Sequence, residues 1–386
     1  MDTALQHLID HIQTAAAQRT PLRIRGGGSK DFYGEALQGE LLDTTPYQGI
    51  VSYEPSELVV TVRAGTPLAE LEAALTEKGQ CLAFEPPRFG NANGTCGGMV
   101  AAGLSGPARA SVGGVRDYVL GVQLVNGRGE HLSFGGQVMK NVAGYDVSRL
   151  MVGAMGTLGL LTDISLKVLP VAPAEATLVF ELDQARALAQ LHRWGAQPLP
   201  LNASCWVRDD TGANASELLF VRLRGAVAAV ESACTKMLAN VPGRRMDNAQ
   251  ADADWTACRD LNLPFFTAPA STPANAPEPL ALWRLSVPQT APVLTLPWPQ
   301  LVEWHGGQRW LWAPAPALEQ LRQAASAVGG SATVFMAATD AATIANTAAK
   351  NCFSPLSPAI EQINHRLRAE FDPAGIFNPG RMYQAQ

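Results

Sequence analysis

Residues 21–30 read Pro-Leu-Arg-Ile-Arg-Gly-Gly-Gly-Ser-Lys, an alternating apolar and basic strand that runs straight into three glycines, a serine and a lysine. Consecutive glycines let backbone N–H groups converge on an anion with no Cβ in the way, and Ser29 adds a hydroxyl donor. The stretch predicts a cradle for phosphate or pyrophosphate. An ordinary turn at a strand end has the same composition, so the rest of the chain has to decide. Gly26, Gly28 and Asp31 give G-x-G-x-x-D, which lacks the third glycine of the nicotinamide dinucleotide fingerprint. No G-x-x-x-x-G-K-[ST] occurs anywhere, so nucleoside triphosphate hydrolysis has no support. Further Gly-rich runs occupy 89–114 and 144–159. Loops of this kind in three places point to one long, extended ligand.

Working outward, a helix is expected over Thr3–Ala17, a strand at Leu22–Arg25 and another near Leu58–Val62. Thr66 as N-cap with Pro67 at the first helical position starts a second helix, and a strand is expected around Leu82–Phe84. Tyr118–Val125 reads as a buried strand, Asn126-Gly127 as a hairpin turn and His131–Phe134 as the returning strand. Ser165–Leu169 reads as a further strand closed by Pro170. Beyond Thr177 come a strand, a helix over Gln184–Trp194, a strand over Leu218–Leu223 and a helix over Val227–Leu238. Nine prolines fall between Pro264 and Pro299, so structure there is expected to be short and the segment an exposed or mobile excursion. A last helix precedes AGIFNPGRMY. The expected organisation is α+β, with domains at 1–172, 173–350 and a C-terminal return at 351–386.

At 386 residues the chain can bury a large core. Its net charge of −5, with only six lysines, leaves no cationic footprint for nucleic acid or for an anionic membrane surface. The apolar run Leu150–Leu161 stops well short of the ~20 residues that span a bilayer, and the N-terminus lacks the basic start and apolar core of a signal peptide. The expected location is cytoplasmic. Six cysteines are scattered with no C-x-x-C, so no iron–sulfur or zinc framework can be read from them. Any electron handling then falls to an organic cofactor.

Taken in chain order, RGGGSK, TCGGMVAAGLSG, GGVRDYVLGVQLVNGRGE, MKNVAGYDVSRLMVGAMGTLGLLTDISLKVLP and FDPAGIFNPGRMY resemble the FAD-linked oxidases of the vanillyl-alcohol oxidase and p-cresol methylhydroxylase type. The resemblance covers about 20–172 and 365–383 and fits the middle loosely. Within that superfamily the chain is most similar to the second of the FAD-binding components of bacterial glycolate oxidases. It implies a two-subdomain FAD-binding domain of the p-cresol methylhydroxylase type, followed by an α+β cap domain and a C-terminal return. It also implies a first pyrophosphate loop at Arg25, Gly26, Gly27, Gly28, Ser29 and Lys30. Thr95, Gly97, Gly98, Gly103, Ser105 and Gly106 match the second loop, which lies against flavin and ribityl chain. Gly156, Thr157, Gly159 and Ile164 match the stretch on the adenine side, and Asn378 and Gly380 the C-terminal return. The first loop has no histidine, and Cys96 reads as a packed thiol rather than an attachment point; the FAD is therefore expected to be noncovalent. Lys140 and Asp146 read equally as site residues, as a surface salt bridge or as a turn cap.

Hydroxy acid oxidation needs a base near the α-carbon and a clamp for the carboxylate. The resembling catalytic subunits use a histidine-rich motif, often with a metal, whereas here no H-x-H or other metal-ligand spacing exists in the second domain, and no metal is expected. His7 and His11 share a helix face that reads as solvated. His305 and Arg309, in EWHGGQRWLW, remain as catalytic candidates, Arg for its bidentate fork. The alternation of Trp304, Trp310 and Trp312 equally reads as a half-buried strand. The resemblance implies partners: a second FAD-binding subunit and an iron–sulfur subunit, acting on a small 2-hydroxy acid, with peripheral attachment to the inner membrane through them. A self-sufficient FAD-dependent dehydrogenase of another hydroxy acid or alcohol and a non-catalytic flavin-binding assembly subunit stay open.

Overall fold

The first strand, Leu22–Arg25, pairs in parallel with Glu40–Asp43, Leu22 opposite Glu40. A computed structural model of the chain describes residues 2–90, 93–136, 146–209, 215–267, 280–336 and 352–383; the Lys140 candidate lies outside them. The helix Thr3–Gln18 covers this pair. The Asp2 carboxylate caps it by accepting the Ala4 N–H at 2.9 Å, and Arg19 closes it in the left-handed region. Leu5, Leu8, Ile12 and Ala15 recur at helical spacing and pack on Leu22, Leu42, Val125 and Phe377. Each of the leucine and isoleucine side chains contributes about 1.5–3 kcal/mol by leaving water.

The chain divides into two compact units: 1–104 with 114–171 and 355–386, and 105–113 with 172–354. The first unit also holds a five-stranded antiparallel sheet in the order Ile50–Glu54, Val59–Arg63, Leu160–Lys167, Val119–Val125, His131–Gly135. Its last segment returns to the first strand. Phe377 bridges Leu22, the Leu22 N–H donates to the Ile376 carbonyl at 2.7 Å, and the Asn378 N–H donates to the Leu22 carbonyl at 2.9 Å. The Asp372 carboxylate fixes this turn by accepting the Ile376 and Phe377 N–H groups at 3.1 and 2.8 Å.

The second unit is an eight-stranded antiparallel sheet, ordered Gly243–Arg245, Ala174–Glu181, Ser216–Gly225, Leu201–Asp209, Gln300–Glu303, Gln308–Pro314, Leu280–Ser286, Ser331–Met336. The helices Gln184–Gly195 and Val227–Asn240 pack on one stretch of it through Leu191, Trp194, Val230 and Met237, and Leu318–Ser326 packs on another through Leu321 and Ala325. The α+β class stands.

Several local expectations need correction. The Thr66 hydroxyl is taken by the Gly49 backbone, so the helix Leu68–Thr76 starts after Pro67 with no side-chain cap. Leu82–Phe84 is buried but forms no strand; the pairing lies one step earlier, at Gln80–Cys81 with Leu169–Pro170. The hairpin loop runs from Asn126 to Glu130, because the Asn126 side-chain oxygen accepts the N–H groups of Arg128 and Glu130 at 2.9 and 3.0 Å. Within the proline-rich segment, Leu280–Ser286 is an interior strand with Leu282, Trp283 and Leu285 buried, so that part is no excursion. Among the described residues no helix is long and apolar enough to cross a membrane.

Candidate cofactor-binding site

The first strand delivers Ile24, Arg25 and then the glycines to a groove that lies wholly within the first unit. One part, about 870 Å³, is lined by Arg25, Gly26, Gly27, Asp43, Asn93 and Thr95 among others. A second part, about 520 Å³, shares Gly26 and runs under Ile24, Gly97, Gly98, Gly156, Leu160 and Asn378. Loops far apart in sequence therefore line two neighbouring parts that share Gly26. Backbone bonds lock the walls together. The Gly97 N–H donates to the Ala64 carbonyl at 2.8 Å and the Leu68 N–H to the Gly94 carbonyl at 2.8 Å, while Thr95 caps the helix Cys96–Ala102.

Two glycines have no alternative. A Cβ on Gly27 would overlap the Asn93 carbonyl oxygen, and Gly28, at φ +72°, has the folded-back Arg25 guanidinium where its Cβ would stand. The guanidinium is held there by Asp31, whose carboxylate accepts the Arg25 Nε–H at 2.8 Å. Lys30 is half-buried beside Ser29, its ammonium 3.4 Å from the Ser29 hydroxyl and 5.8 Å from the Phe89 ring centroid. Burial pushes its pKa down to about 8. The loop offers converging backbone and a cation with no ion pair among the described residues, which is the donor set of an anion site and fits a diphosphate.

Asn378 ties the two halves of the cleft. Its side-chain oxygen accepts the Ile24 N–H at 2.7 Å, and its amide donates to the Met155 carbonyl at 2.6 Å. Its φ of +39° suits asparagine. Thr157 donates to the Ala154 carbonyl at 2.7 Å and shapes that turn. Ile164 sits inside the five-stranded sheet opposite Val62 and Val122, away from the cleft lining. Gly103 ends the helix Cys96–Ala102 in the left-handed region, and Gly380 follows Asn378 at φ +73°. Ser105 and Gly106 belong to the second unit, where the Gly106 carbonyl accepts the Trp304 indole N–H at 3.0 Å. Cys96 is fully buried, and burial raises its thiol pKa, so no thiolate is on offer. Asp146 caps the turn at Val147 and pairs with Arg149 at 3.0 Å.

Arg381 carries no signal of its own in the sequence beyond following Asn-Pro-Gly. Its buried guanidinium donates to the carbonyls of Lys30, Asp31, Tyr33 and Glu35 and so sets the path of the phosphate loop.

In the second unit, His305 follows Trp304 in the left-handed region, and its ring nitrogens lie 3.0 Å from the hydroxyls of Ser204 and Ser111. Burial lowers its pKa to about 4, so the ring is neutral at pH 7. Arg309 is wholly buried, and its guanidinium donates to the carbonyls of Gly306, Pro292 and Ala291 at 3.2, 2.9 and 3.0 Å. It braces two loops. Among the described residues no group of three or more His, Cys, Asp or Glu side chains is placed to hold a metal.

A family model described as an FAD binding domain matches residues 3–135. Glycolate oxidase subunit GlcE of Escherichia coli (strain K12) is 41% identical over 378 residues, 98% of this chain and 97% of that one. The chain belongs to the GlcE family of glycolate oxidase subunits. Its cofactor is FAD and its class that of the FAD-linked oxidoreductases. Glycolate oxidase subunit GlcD of Bacillus subtilis (strain 168) is 31% identical over 185 residues, 47% of this chain and 39% of that one. Among solved structures, an alkyldihydroxyacetonephosphate synthase superposes with a TM-score of 0.65 at 14% identity, covering 97% of this chain and 75% of that one. That likeness concerns the fold. GlcE family membership also accounts for the order of the glycine loops along the chain.

Proposed function

We propose that the chain is the FAD-binding subunit of a complex that oxidises glycolate, or a related small D-2-hydroxy acid, to the 2-oxo acid, and that electrons leave through an iron–sulfur partner subunit. The end-to-end 41% identity to GlcE carries this reading. When bound, FAD supplies the two-electron acceptor that no side chain here can provide. Gly26, Gly27, Gly28, Ser29 and Thr95 would hold the diphosphate through backbone and hydroxyl donors. Gly97, Gly98 and Gly103 would let the chain lie close to the ribityl and flavin. Ile24, Gly156, Gly159 and Leu160 would enclose the adenine and keep water from it. Attachment is noncovalent in this reading, since the loop has no histidine and Cys96 is buried as a thiol.

The neighbours of His305 and Arg309 favour placing substrate chemistry on a second FAD-binding subunit. One side chain is bonded at both ring nitrogens, and the other is spent on carbonyls. A cytoplasmic protein, held near the inner membrane by its partners, is consistent with this role. The test is an anaerobic visible spectrum of the purified chain with glycolate and then D-lactate, alone and in the assembled complex. A flavin that stays oxidised alone and bleaches in the complex is the expected result. Bleaching by the chain alone would make it a self-sufficient dehydrogenase, and colourless protein would overturn the FAD assignment.

A further inference from the structure

A carboxylate lies buried in the middle of the first unit's five-stranded sheet. Leu160–Lys167 is the central strand, and on one of its faces Asp163 and Ser165 stand opposite Arg63 and Thr61 of the neighbouring strand. The Arg63 guanidinium pairs with Asp2 rather than with Asp163, at 3.1 Å, and stacks over the Tyr47 ring at 4.7 Å. Two neutral hydroxyls serve the Asp163 carboxylate. Tyr47 donates to it, 3.3 and 3.1 Å from its two oxygens, and Thr162 adds a further bond. Burial outweighs them and raises its pKa, so the carboxylate is short of donors. Asp163 and Ser165 line a groove of about 840 Å³. Tyr47 and Phe134 give this groove aromatic surface. Gln123 and Ser133, opposite each other on the last two strands, add a side-chain amide and a hydroxyl with no hydrogen bond among the described residues. None of these residues lines either part of the cofactor groove.

We propose that this groove is a second binding site, for a neutral polyhydroxyl compound of sugar or cyclitol size. The lining carries both signs of charge, so an anion meets Asp163 and a cation meets Arg63. A neutral ligand meets neither penalty. Hydroxyl groups both donate and accept, so one ligand can donate to the Asp163 carboxylate and accept from Gln123 and Ser133. The Tyr47 and Phe134 rings offer apolar surface to the C–H face of such a molecule. A concave site of this volume with aromatic surface and a few convergent polar groups is the usual form of a small-molecule pocket.

The experiment is saturation-transfer NMR on the full, FAD-loaded chain with D-ribose, D-glucose and myo-inositol as probes, followed by titration of the one that gives the strongest signal. A Kd of about 1 mM or tighter is expected. Glucosamine and glucuronate, each bringing a full charge, should bind more weakly than glucose. Asp163→Asn should weaken the best probe about tenfold or more while retaining flavin, and Gln123→Ala and Ser133→Ala about threefold each. The last two variants decide the matter if Asp163→Asn does not fold. Absence of binding by all three probes would overturn the proposal, as would binding that survives the substitutions or that prefers a charged sugar. Probes that bind the flavin-free chain and are released by added FAD would lie in the cofactor groove, and that result also overturns it.

Discussion

A methyl group at position 27 has nowhere to go, because the Asn93 carbonyl oxygen occupies its place and that oxygen belongs to the groove wall. Gly27→Ala is therefore expected to displace residues 93–95 and strip the flavin. The ratio of flavin to protein absorbance in the purified variant checks this. Asn378→Ala removes both bonds that join Ile24 to Met155 and leaves a buried donor and acceptor unpaired, at a cost of about 2–4 kcal/mol. Urea unfolding monitored in the first unit should report that loss together with weaker FAD retention. At this scale the glycines and Asn378 are legible in the sequence, because few residue types tolerate those backbone positions and their motifs stand in a recognisable order. Arg381 is not. Its partners are carbonyls some 350 residues away, and any arginine near a chain terminus has a similar local context. The catalytic candidacy of His305 and Arg309 rests on residue type and on the resemblance of their segment, and only the surrounding serines and carbonyls show how each is engaged.

Elements built on periodic burial are readable from the chain. The helices Gln184–Gly195 and Val227–Asn240 appear where the apolar spacing puts them. Elements decided by a competing side-chain bond are not, as Thr66 and Asn126 show, since each hydroxyl or amide finds a backbone partner other than the expected one. The strand Leu201–Asp209 escapes the sequence reading because Asn202, Ala203 and Ser204 interrupt its apolar pattern while lying buried between neighbours. Two consequences belong to this level. Trp194 is fully buried against Phe180, with ring centroids 4.9 Å apart. Trp194→Ala should cost about 3–5 kcal/mol in the second unit, seen as a lower denaturant midpoint. The turn holding His305 contributes a pH term of definite sign. Its folded pKa, about 4, lies below the ordinary histidine value of 6.5, so the unfolded chain binds the proton first and stability falls as pH drops from 6.5 towards 4. Between pH 7 and pH 5 this group should remove about 2 kcal/mol, and His305→Gln should abolish that part of the acid sensitivity.

Neither unit is a continuous stretch of chain. The first is interrupted by 105–113 and by 172–354, and it is closed by 355–386. Sequence texture suggests a change near residue 172 but gives no sign that 105–113 leaves the first unit, because contact partners and not composition decide that membership. A fragment ending at Val171 lacks the Ile376–Asn378 segment that pairs with Leu22. It is expected to be soluble at best as a loosely packed chain, with rapid amide exchange throughout the first strand and no FAD binding. Co-expression of 355–386 as a separate polypeptide should restore some protection if that pairing is the missing part. The arrangement also orders events during biosynthesis. Asn378 walls the cleft beside Ile24, yet it is translated 354 residues later. A ribosome therefore finishes the whole second unit before the cleft can close, and flavin loading waits for Asn378 to leave the exit tunnel.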